Sequence, residues 1–152
     1  MAQKTILLVE DDPNDEQLAV RALASDPARP GVRVARDGRE ALEILFRQTE
    51  TESGAVRLGP LHLVLLDIRL PGMDGLEVLR RIRSHEKTRH LPVVMFTSSE
   101  SGNDWTESYR LGANSVVRKP SDASQFEANL RQLAGYWLTV NMPSPIGVRE
   151  AS

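Results

Sequence analysis

Charged and hydroxyl side chains stand at the ends of four apolar segments of this chain. Glu10 and Asp11 follow the first segment, Asp67 ends the second, Thr97 ends the third and Lys119 follows the fourth. Carboxylates that are brought close together repel, and a hard divalent cation with oxygen ligands relieves that repulsion. An ionised aspartate can attack phosphorus without a base, and phosphoryl transfer depends mainly on positioning and charge neutralisation. Gathered together, these residues could hold Mg²⁺ and carry a phosphoryl group on Asp67.

Each of these positions also has a simpler explanation when it is taken alone. The acids at Glu10 and Asp11 could open a helix, and Asp67 could cap a turn. Thr97 could be an ordinary strand-end hydroxyl, and Lys119 a surface lysine. The chain has only three lysines, at positions 4, 87 and 119, so a lysine directly after an apolar run carries more information than usual. The coincidence at four segment ends favours a functional site.

Short apolar runs and amphipathic segments alternate along the sequence. Runs typical of buried strands occupy residues 5–9, 32–35, 61–67, 92–97 and 113–118. Helices are predicted after Asp12 or Asn14, over residues 38–48, from Gly75 to about residue 85, over 104–111, and around a stripe at Phe126, Leu130, Leu133 and Trp137. Residues 49–60 are predicted to form a loop, and residues 139–152 an irregular tail.

This alternation predicts an α/β fold with a doubly wound, five-stranded parallel sheet and five helices. In open parallel sheets the ligand site lies beyond the carboxyl ends of the strands. The carboxylates, the threonine and the lysine stand at those ends, so we expect them to surround one crevice.

Composition narrows the classes of partner and chemistry. The 152 residues carry 19 basic and 21 acidic side chains, so a net charge of −2 gives no electrostatic case for binding nucleic acid or an anionic membrane. Zero cysteines exclude disulfides and thiol chemistry. The longest apolar runs hold four residues, far fewer than a membrane span needs. We therefore expect one soluble cytoplasmic domain.

The motifs together resemble the receiver domain of two-component response regulators, which has a flavodoxin-like fold. The resemblance rests on residues 9–12 (Val-Glu-Asp-Asp), 66–75 (Leu-Asp-Ile-Arg-Leu-Pro-Gly-Met-Asp-Gly), 96–98 (Phe-Thr-Ser) and 119–120 (Lys-Pro). It covers roughly residues 4–138. It implies a phosphoprotein of two-component signal transduction, phosphorylated on an aspartate by a sensor histidine kinase with Mg²⁺ as cofactor.

The resemblance also assigns roles to individual residues. Asp67 would be the phosphoacceptor. The metal ligands would be Asp11, Asp67 and the backbone carbonyl of Arg69, with Glu10 acting through water. Thr97 and Lys119 would bind the phosphoryl group and take part in the switch. Arg69 and Ser99 would flank the path of attacking water.

One further position concerns the switch itself. Receivers commonly carry an aromatic residue three positions before this lysine, and here that position is Val116. The usual relay from threonine to aromatic ring is therefore in doubt, and the signal could travel through the loop after Thr97 and the helix that carries Trp105 and Tyr109. The family also implies a cis peptide bond between Lys119 and Pro120.

A second resemblance is to single-domain regulators that serve bacteriophytochrome histidine kinases. It rests on the long segment 49–60 and on the sequence of residues 136–145. It implies a receiver domain over residues 1–138 and a tail over 139–152 that takes part in a homodimer. The apolar tail residues Trp137, Val140, Met142 and Ile146 could equally fold back onto their own domain.

Two other classes of function remain as alternatives to a stoichiometric phosphoacceptor that is not an enzyme. A haloacid-dehalogenase-type aspartyl phosphatase also uses an aspartate after a parallel strand, but it needs a second acid two residues later, where this chain has Arg69. A flavodoxin-like cofactor binder needs a phosphate-cradling loop after the first strand, where this chain has acids.

Overall fold

The computed structural model describes residues 3–49 and 61–145, which form a three-layer α/β unit. Its elements, in chain order, are β1 (Thr5–Val9), α1 (Pro13–Ala24), β2 (Gly31–Ala35), α2 (Gly38–Thr49), β3 (Leu61–Leu66), α3 (Gly75–Ser84), β4 (Val93–Thr97), α4 (Gly102–Arg110), β5 (Ser115–Arg118) and α5 (Ala123–Gly135). A π-helical turn at Tyr136–Val140 continues α5. The predicted alternation of strands and helices is confirmed.

The five strands form one parallel sheet in the order β2-β1-β3-β4-β5. The chain moves from β1 outward to β2 and then returns to β3 on the other side of β1. The crevice between β1 and β3 is therefore the topological switch point, where open sheets of this kind bind ligands. The residues that follow these two strands, Glu10 and Asp67, meet there.

Alternating side chains of the strands build one apolar core on each face of the sheet. Leu7 and Val9 point into the core that α2 and α3 cover, whereas Ile6 and Leu8 point into the core that α1 and α5 cover. β1 is buried along its whole length. Strands buried on both faces leave polar groups only at their ends, which concentrates the polar chemistry of the fold at the edges of the sheet.

The structure corrects several boundaries of the sequence prediction: β5 begins at Ser115 rather than at residue 113, and three other changes concern two helices and the tail. α4 begins at Gly102, two residues before Asp104, because the Ser101 hydroxyl caps it by accepting a hydrogen bond from the Asp104 amide. α2 runs through Thr49, and the remainder of the predicted loop, residues 50–60, lies outside the described part of the chain. The tail is not irregular from Thr139, because Thr139 and Val140 belong to the π-helical turn, which Leu138 anchors in the core.

Arg83, near the end of α3, ties together the segments that enter β4 and β5. Its guanidinium donates to the carbonyl oxygens of Gly112 (2.8 Å), Arg89 (3.1 Å) and Leu91 (2.7 Å), and to the side-chain oxygen of Asn114 (2.8 Å). Burial lowers the pKa of Arg83. This cation lies at the amino-terminal ends of the two strands, opposite the candidate site.

Within residues 3–49 and 61–145, no helix is both long enough and apolar enough to span a bilayer.

Candidate functional site

The structure brings the predicted residues together at the carboxyl ends of β1, β3, β4 and β5. Carboxylate oxygens of Glu10, Asp11 and Asp67 lie within 4.8 Å of one another. Asp67 is 5% exposed, Lys119 8% and Thr97 fully buried, whereas Asp11 faces solvent. The predicted crevice therefore exists, and one acid at its rim remains open to ligands.

Lys119 reaches into the centre of the acidic group. Its ammonium Nζ lies 2.7 Å from Asp67 Oδ2, 2.5 Å from Glu10 Oε1 and 3.0 Å from Asp15 Oδ2. Asp15, in the first turn of α1, was missing from the sequence-derived site. Its place in the first turn of the helix that opens directly after Glu10 and Asp11 was a signal, because that turn stays close to the end of β1.

The charges of this cluster do not balance. Burial raises the pKa of Glu10 to about 7, since the ion pair with Lys119 offsets only part of the desolvation and the nearby Asp67 opposes ionisation. Burial would lower the pKa of Lys119, but the charges of Asp67 and Glu10 outweigh it and raise that pKa above its usual value. One permanent cation thus faces more negative charge than it can neutralise.

The start of α1 fixes the acids that follow β1. The Asp12 carboxylate accepts hydrogen bonds from the backbone amides of Asn14 (2.8 Å) and Asp15 (3.2 Å). Pro13 occupies the first turn, where its missing N–H has no partner to lose. The Asp12 amide in turn donates to Glu10 Oε2 at 3.1 Å. Asp12 is therefore the helix cap, which leaves Glu10 and Asp11 for the crevice.

A close backbone contact holds Asp67 at the end of β3. The Gly75 amide donates to the carbonyl oxygen of Ile68 at 2.7 Å. A Cβ atom at position 75 would lie only 1.9 Å from the carbonyl oxygen of Asp67, so the start of α3 can approach the acidic residue only with glycine there. The Asp67 amide donates to Val9 O, and the Arg69 amide lies 3.3 Å from Asp67 Oδ1.

Thr97 and Lys119 are linked through the backbone at the ends of β4 and β5. The Lys119 amide donates to the Thr97 carbonyl oxygen at 2.7 Å. The Thr97 hydroxyl oxygen accepts a hydrogen bond from the Ser99 amide at 3.1 Å. Among the described residues no acceptor takes up the hydroxyl proton, which is therefore available to a group bound in the crevice.

The predicted cis peptide bond is wrong, because the bond between Lys119 and Pro120 is trans. The trans form is the lower in energy for a peptide bond before proline, by about 0.5–1 kcal/mol. Lys119 already reaches Glu10, Asp15 and Asp67 in this conformation, so contact with the acids does not require the cis form.

Val116 is half-buried in β5, in register with Met95. Its amide donates to the hydroxyl oxygen of Tyr109 at 3.2 Å. Tyr109 belongs to α4 and is 54% exposed. An aromatic side chain from the neighbouring helix thus contacts the strand at the position where receivers commonly carry their own aromatic residue.

The donor set of this crevice suits a hard divalent cation. Glu10, Asp11 and Asp67 offer carboxylate oxygens, which Mg²⁺ and Mn²⁺ accept as ligands. Both Glu10 oxygens have hydrogen-bond partners within the protein, Lys119 and the Asp12 amide, whereas Asp11 is exposed. Asp11 is therefore the more accessible ligand, and the excess negative charge favours a cation.

An open cleft of about 660 Å³ adjoins the crevice on the side of α5. Asp15, Ser98, Lys119 and Phe126 contribute to its walls. A second cleft, of about 740 Å³, lies between α2 and the connection from β3 to α3, away from the acids.

Comparison with known proteins places this geometry in a family. Residues 6–131 match the family described as the response regulator receiver domain. Response regulator Rcp1 of Synechocystis sp. is 32% identical over 142 residues, which cover 93% of this chain and 94% of Rcp1. The crystal structure of the Mn²⁺-bound form of Rcp1 has a TM-score of 0.82 at 30% identity and covers 93% of this chain and 99% of that one.

Two other solved structures are similar along nearly the whole chain. The phosphorylated cyanobacterial phytochrome response regulator RcpA has a TM-score of 0.85 and 33% identity, covering 93% of this chain and 99% of that one. The bacteriophytochrome response regulator RtBRR has a TM-score of 0.68 and 40% identity, covering 96% and 87%.

Proposed function

The chain belongs to the response regulator receiver family, and we propose that Asp67 is its phosphoryl acceptor. Membership of this family removes the support for the phosphatase alternative. The observation that carries the assignment is the buried Asp67 carboxylate, held 2.7 Å from the Lys119 ammonium beside the oxygens of Glu10 and Asp11. The open cleft beside Lys119 gives a phosphodonor a route to it.

In the proposed reaction an Asp67 carboxylate oxygen forms a bond to the phosphorus of a phosphohistidine. The bond between phosphorus and the histidine nitrogen breaks, and the nitrogen keeps the electron pair. The product is an acyl phosphate on Asp67, formed once per molecule, so the protein acts as a stoichiometric acceptor rather than an enzyme with turnover. Lys119 contacts Asp67 before transfer and is placed to hold a phosphoryl oxygen after it, and the free Thr97 hydroxyl proton can donate to another.

We assign Mg²⁺ as the metal, with Asp11, Asp67 and the Arg69 carbonyl as protein ligands and Glu10 acting through water. The exposure of Asp11 and the internal partners of Glu10 support this division. The existence of a Mn²⁺-bound form of Rcp1 supports a divalent cation in this family. When bound, the cation supplies positive charge to the phosphoryl oxygens.

The Asp11 and Lys119 roles can be separated by titration with Mg²⁺. Asp11→Ala should weaken metal binding strongly, whereas Lys119→Ala should impair retention of the phosphoryl group more than metal binding. Equal losses of metal affinity in the two variants would contradict the roles assigned here.

The acceptor assignment is tested by incubation with acetyl phosphate and Mg²⁺, followed by intact mass measurement. The protein should gain one phosphoryl group, and none when the metal is chelated. Asp67→Asn should abolish the gain, whereas Asp12→Asn, which keeps the helix cap, should still be phosphorylated. Labelling of Asp67→Asn at the wild-type level would overturn the assignment.

We further propose a sensor histidine kinase of the bacteriophytochrome type as the partner, in the cytoplasm. The likeness to RtBRR and to RcpA supports this choice. The kinase is tested by comparing transfer from a purified phosphorylated bacteriophytochrome kinase with transfer from an unrelated histidine kinase. Preference for the unrelated donor would contradict it.

We also propose that residues 1–138 form the receiver unit and that the tail, residues 139–152, mediates a homodimer. Val140 is 65% exposed and Met142 88%, and both follow Leu138, the last buried residue in the range 61–145 that the structure describes. Trp137, in contrast, packs against its own domain, and Ile146 lies outside the described residues. A monomer in gel filtration, both with and without beryllofluoride and Mg²⁺, would contradict the proposal.

A further inference from the structure

Asp104, in the first turn of α4, joins the two chain segments on either side of the acceptor. Its Oδ2 atom accepts a hydrogen bond from the Arg69 guanidinium at 2.7 Å and another from the Ser99 hydroxyl at 2.6 Å. Arg69 belongs to the connection between β3 and α3, and Ser99 to the connection between β4 and α4. One carboxylate therefore bridges the ends of two neighbouring strands.

The two residues that Asp104 bridges, Arg69 and Ser99, also contact the site through their backbone amides. The Arg69 amide lies 3.3 Å from Asp67 Oδ1, and the Ser99 amide donates to the Thr97 hydroxyl oxygen at 3.1 Å. A shift of Arg69 or Ser99 would therefore move a backbone group that contacts the acceptor or the phosphoryl-binding threonine.

Asp104 is itself firmly held. Its amide donates to the hydroxyl oxygen of Ser101, and its carbonyl oxygen accepts from the Ser108 hydroxyl at 2.7 Å. Trp105, the next residue, donates from Nε1 to the Ser99 carbonyl oxygen at 3.0 Å. The Asp104 side chain is only 15% exposed, so the carboxylate is held in a fixed position while the guanidinium of Arg69 lies at the surface.

We infer that Asp104 is a positioning residue for the Asp67 site, and that the bridge it makes with Arg69 and Ser99 prolongs the lifetime of the phosphoryl group. The inference rests on the proposed function of Asp67. In hydrolysis, a water oxygen bonds to phosphorus, the bond from phosphorus to the Asp67 oxygen breaks with its electron pair left on the carboxylate, and a water proton leaves with the released phosphate. The Asp67 side chain is 6% exposed, and the two connections that Asp104 holds together contact Asp67 and Thr97, so a firm bridge restricts the approach of water on this side of the carboxylate.

The decisive measurement is the rate at which the phosphorylated protein loses its phosphoryl group after acetyl phosphate is removed, followed by intact mass. Asp104→Asn keeps an acceptor for Ser99 but loses the charge that holds Arg69, and it should shorten the lifetime about three- to tenfold. Asp104→Glu restores the charge and should lie closer to the wild type. Glu107→Gln removes an ion pair with Arg110 on the same helix that does not involve the site, so it should leave the lifetime unchanged.

A double-variant cycle separates the bridge from a general loosening of α4. Arg69→Gln should shorten the lifetime as Asp104→Asn does, and the double variant should add little to either change, because both remove the same ion pair. Additive effects, or an Asp104→Asn lifetime equal to that of the wild type, would overturn the inference. Arg69 is exposed, so its variant also provides the test if Asp104→Asn does not fold.

The fluorescence of Trp105 tests the bridge without phosphorylation. In a Trp137→Phe background Trp105 is the sole tryptophan of the chain. Loss of the bridge should shift its emission to longer wavelength in Asp104→Asn, and unchanged emission would count against the inference. If the wild type gains no phosphoryl group from acetyl phosphate, the proposed function of Asp67 fails instead, and the emission result still decides whether the bridge exists.

Discussion

The buried Lys119 and the half-buried Arg83 lie at opposite ends of the same strands, and their partners differ in kind. Lys119, beyond the carboxyl ends of β4 and β5, contacts the carboxylates of Glu10, Asp15 and Asp67. Arg83, at the amino-terminal ends of those strands, contacts three carbonyl oxygens and one amide oxygen, all uncharged. The pKa of Arg83 is lowered by burial, whereas the pKa of Lys119 is raised despite burial.

The two sets of partners indicate what each cation does in the molecule. Neutral acceptors in a fixed fork geometry match the rigid guanidinium of Arg83, and they occupy four of its five N–H groups, which leaves little for a further ligand to bind. The acids around Lys119 carry more negative charge than the lysine neutralises. A metal ion can therefore bind there, and Lys119 can then contact a phosphoryl group. Arg83 therefore stabilises the fold, and Lys119 keeps the site ready to change partners.

The largest effect on stability should come from the structural cation. Arg83→Met removes donors from four acceptors at once, and we expect the free energy of unfolding to fall by about 3 kcal/mol. Urea denaturation measures the loss. Arg80→Met, an exposed position on the same helix, is the control, and saturating Mg²⁺ should not restore the Arg83 variant. If Mg²⁺ restored the stability of the Arg83 variant, the two cations would not differ in the way proposed here.

Lys119→Met should cost less, because the acids it leaves behind can take up a proton or a metal ion. In EDTA we expect a loss of about 2 kcal/mol, below the usual cost of breaking a buried ion pair. Mg²⁺ binds only the folded site, so saturating metal should recover most of the stability. A Lys119 variant as insensitive to Mg²⁺ as the Arg83 variant would contradict the comparison.

Metal binding should depend on pH through Glu10. With a pKa of about 7, Glu10 is protonated below neutrality in the metal-free protein, and a cation must displace that proton. Mg²⁺ affinity should therefore rise up to about tenfold between pH 6 and pH 8, and Glu10→Gln should flatten the dependence. A Mg²⁺ affinity that falls as the pH rises would contradict the assignment of this dependence to Glu10.

The raised pKa of Glu10 also affects the stability of the metal-free fold. Its stabilising contribution is fully present below pH 4.5 and is lost as the pH rises through about 7.

The smallest effect should come from a third cluster, in which Glu77 contacts Arg80 and Arg81 on α3. Hydrogen bonds from these arginines lower the pKa of Glu77 to about 2, so any stabilisation would persist above pH 4.5 and fade as the pH falls through 2. The cluster is open to solvent, where ion pairs contribute little. Glu77→Gln should leave the urea midpoint unchanged at pH 7, and a clear loss would show that burial is not the factor that separates these clusters.

The sequence was sufficient to predict the fold and the place of the site because both follow from buried strands and the residues at their ends. It did not predict which acids Lys119 contacts, since Asp15 reaches the lysine from α1 and pairing across elements depends on side-chain directions. It also missed the bridge at Asp104, whose two donors stand 35 and 5 residues away along the chain. The peptide bond before Pro120 is trans, whereas the resemblance to the family implied a cis bond, and no local residue pattern distinguishes the two forms.

The contact between Tyr109 and Val116 has a consequence for how copies of the chain can meet. β5 is an outer strand of the sheet, and an outer strand offers unpaired amides to which a foreign strand could add. The Tyr109 hydroxyl oxygen accepts a hydrogen bond from one of these amides, that of Val116, and β5 is only four residues long. The sheet is therefore protected on this side against growth by strand addition and against the aggregation that follows from it.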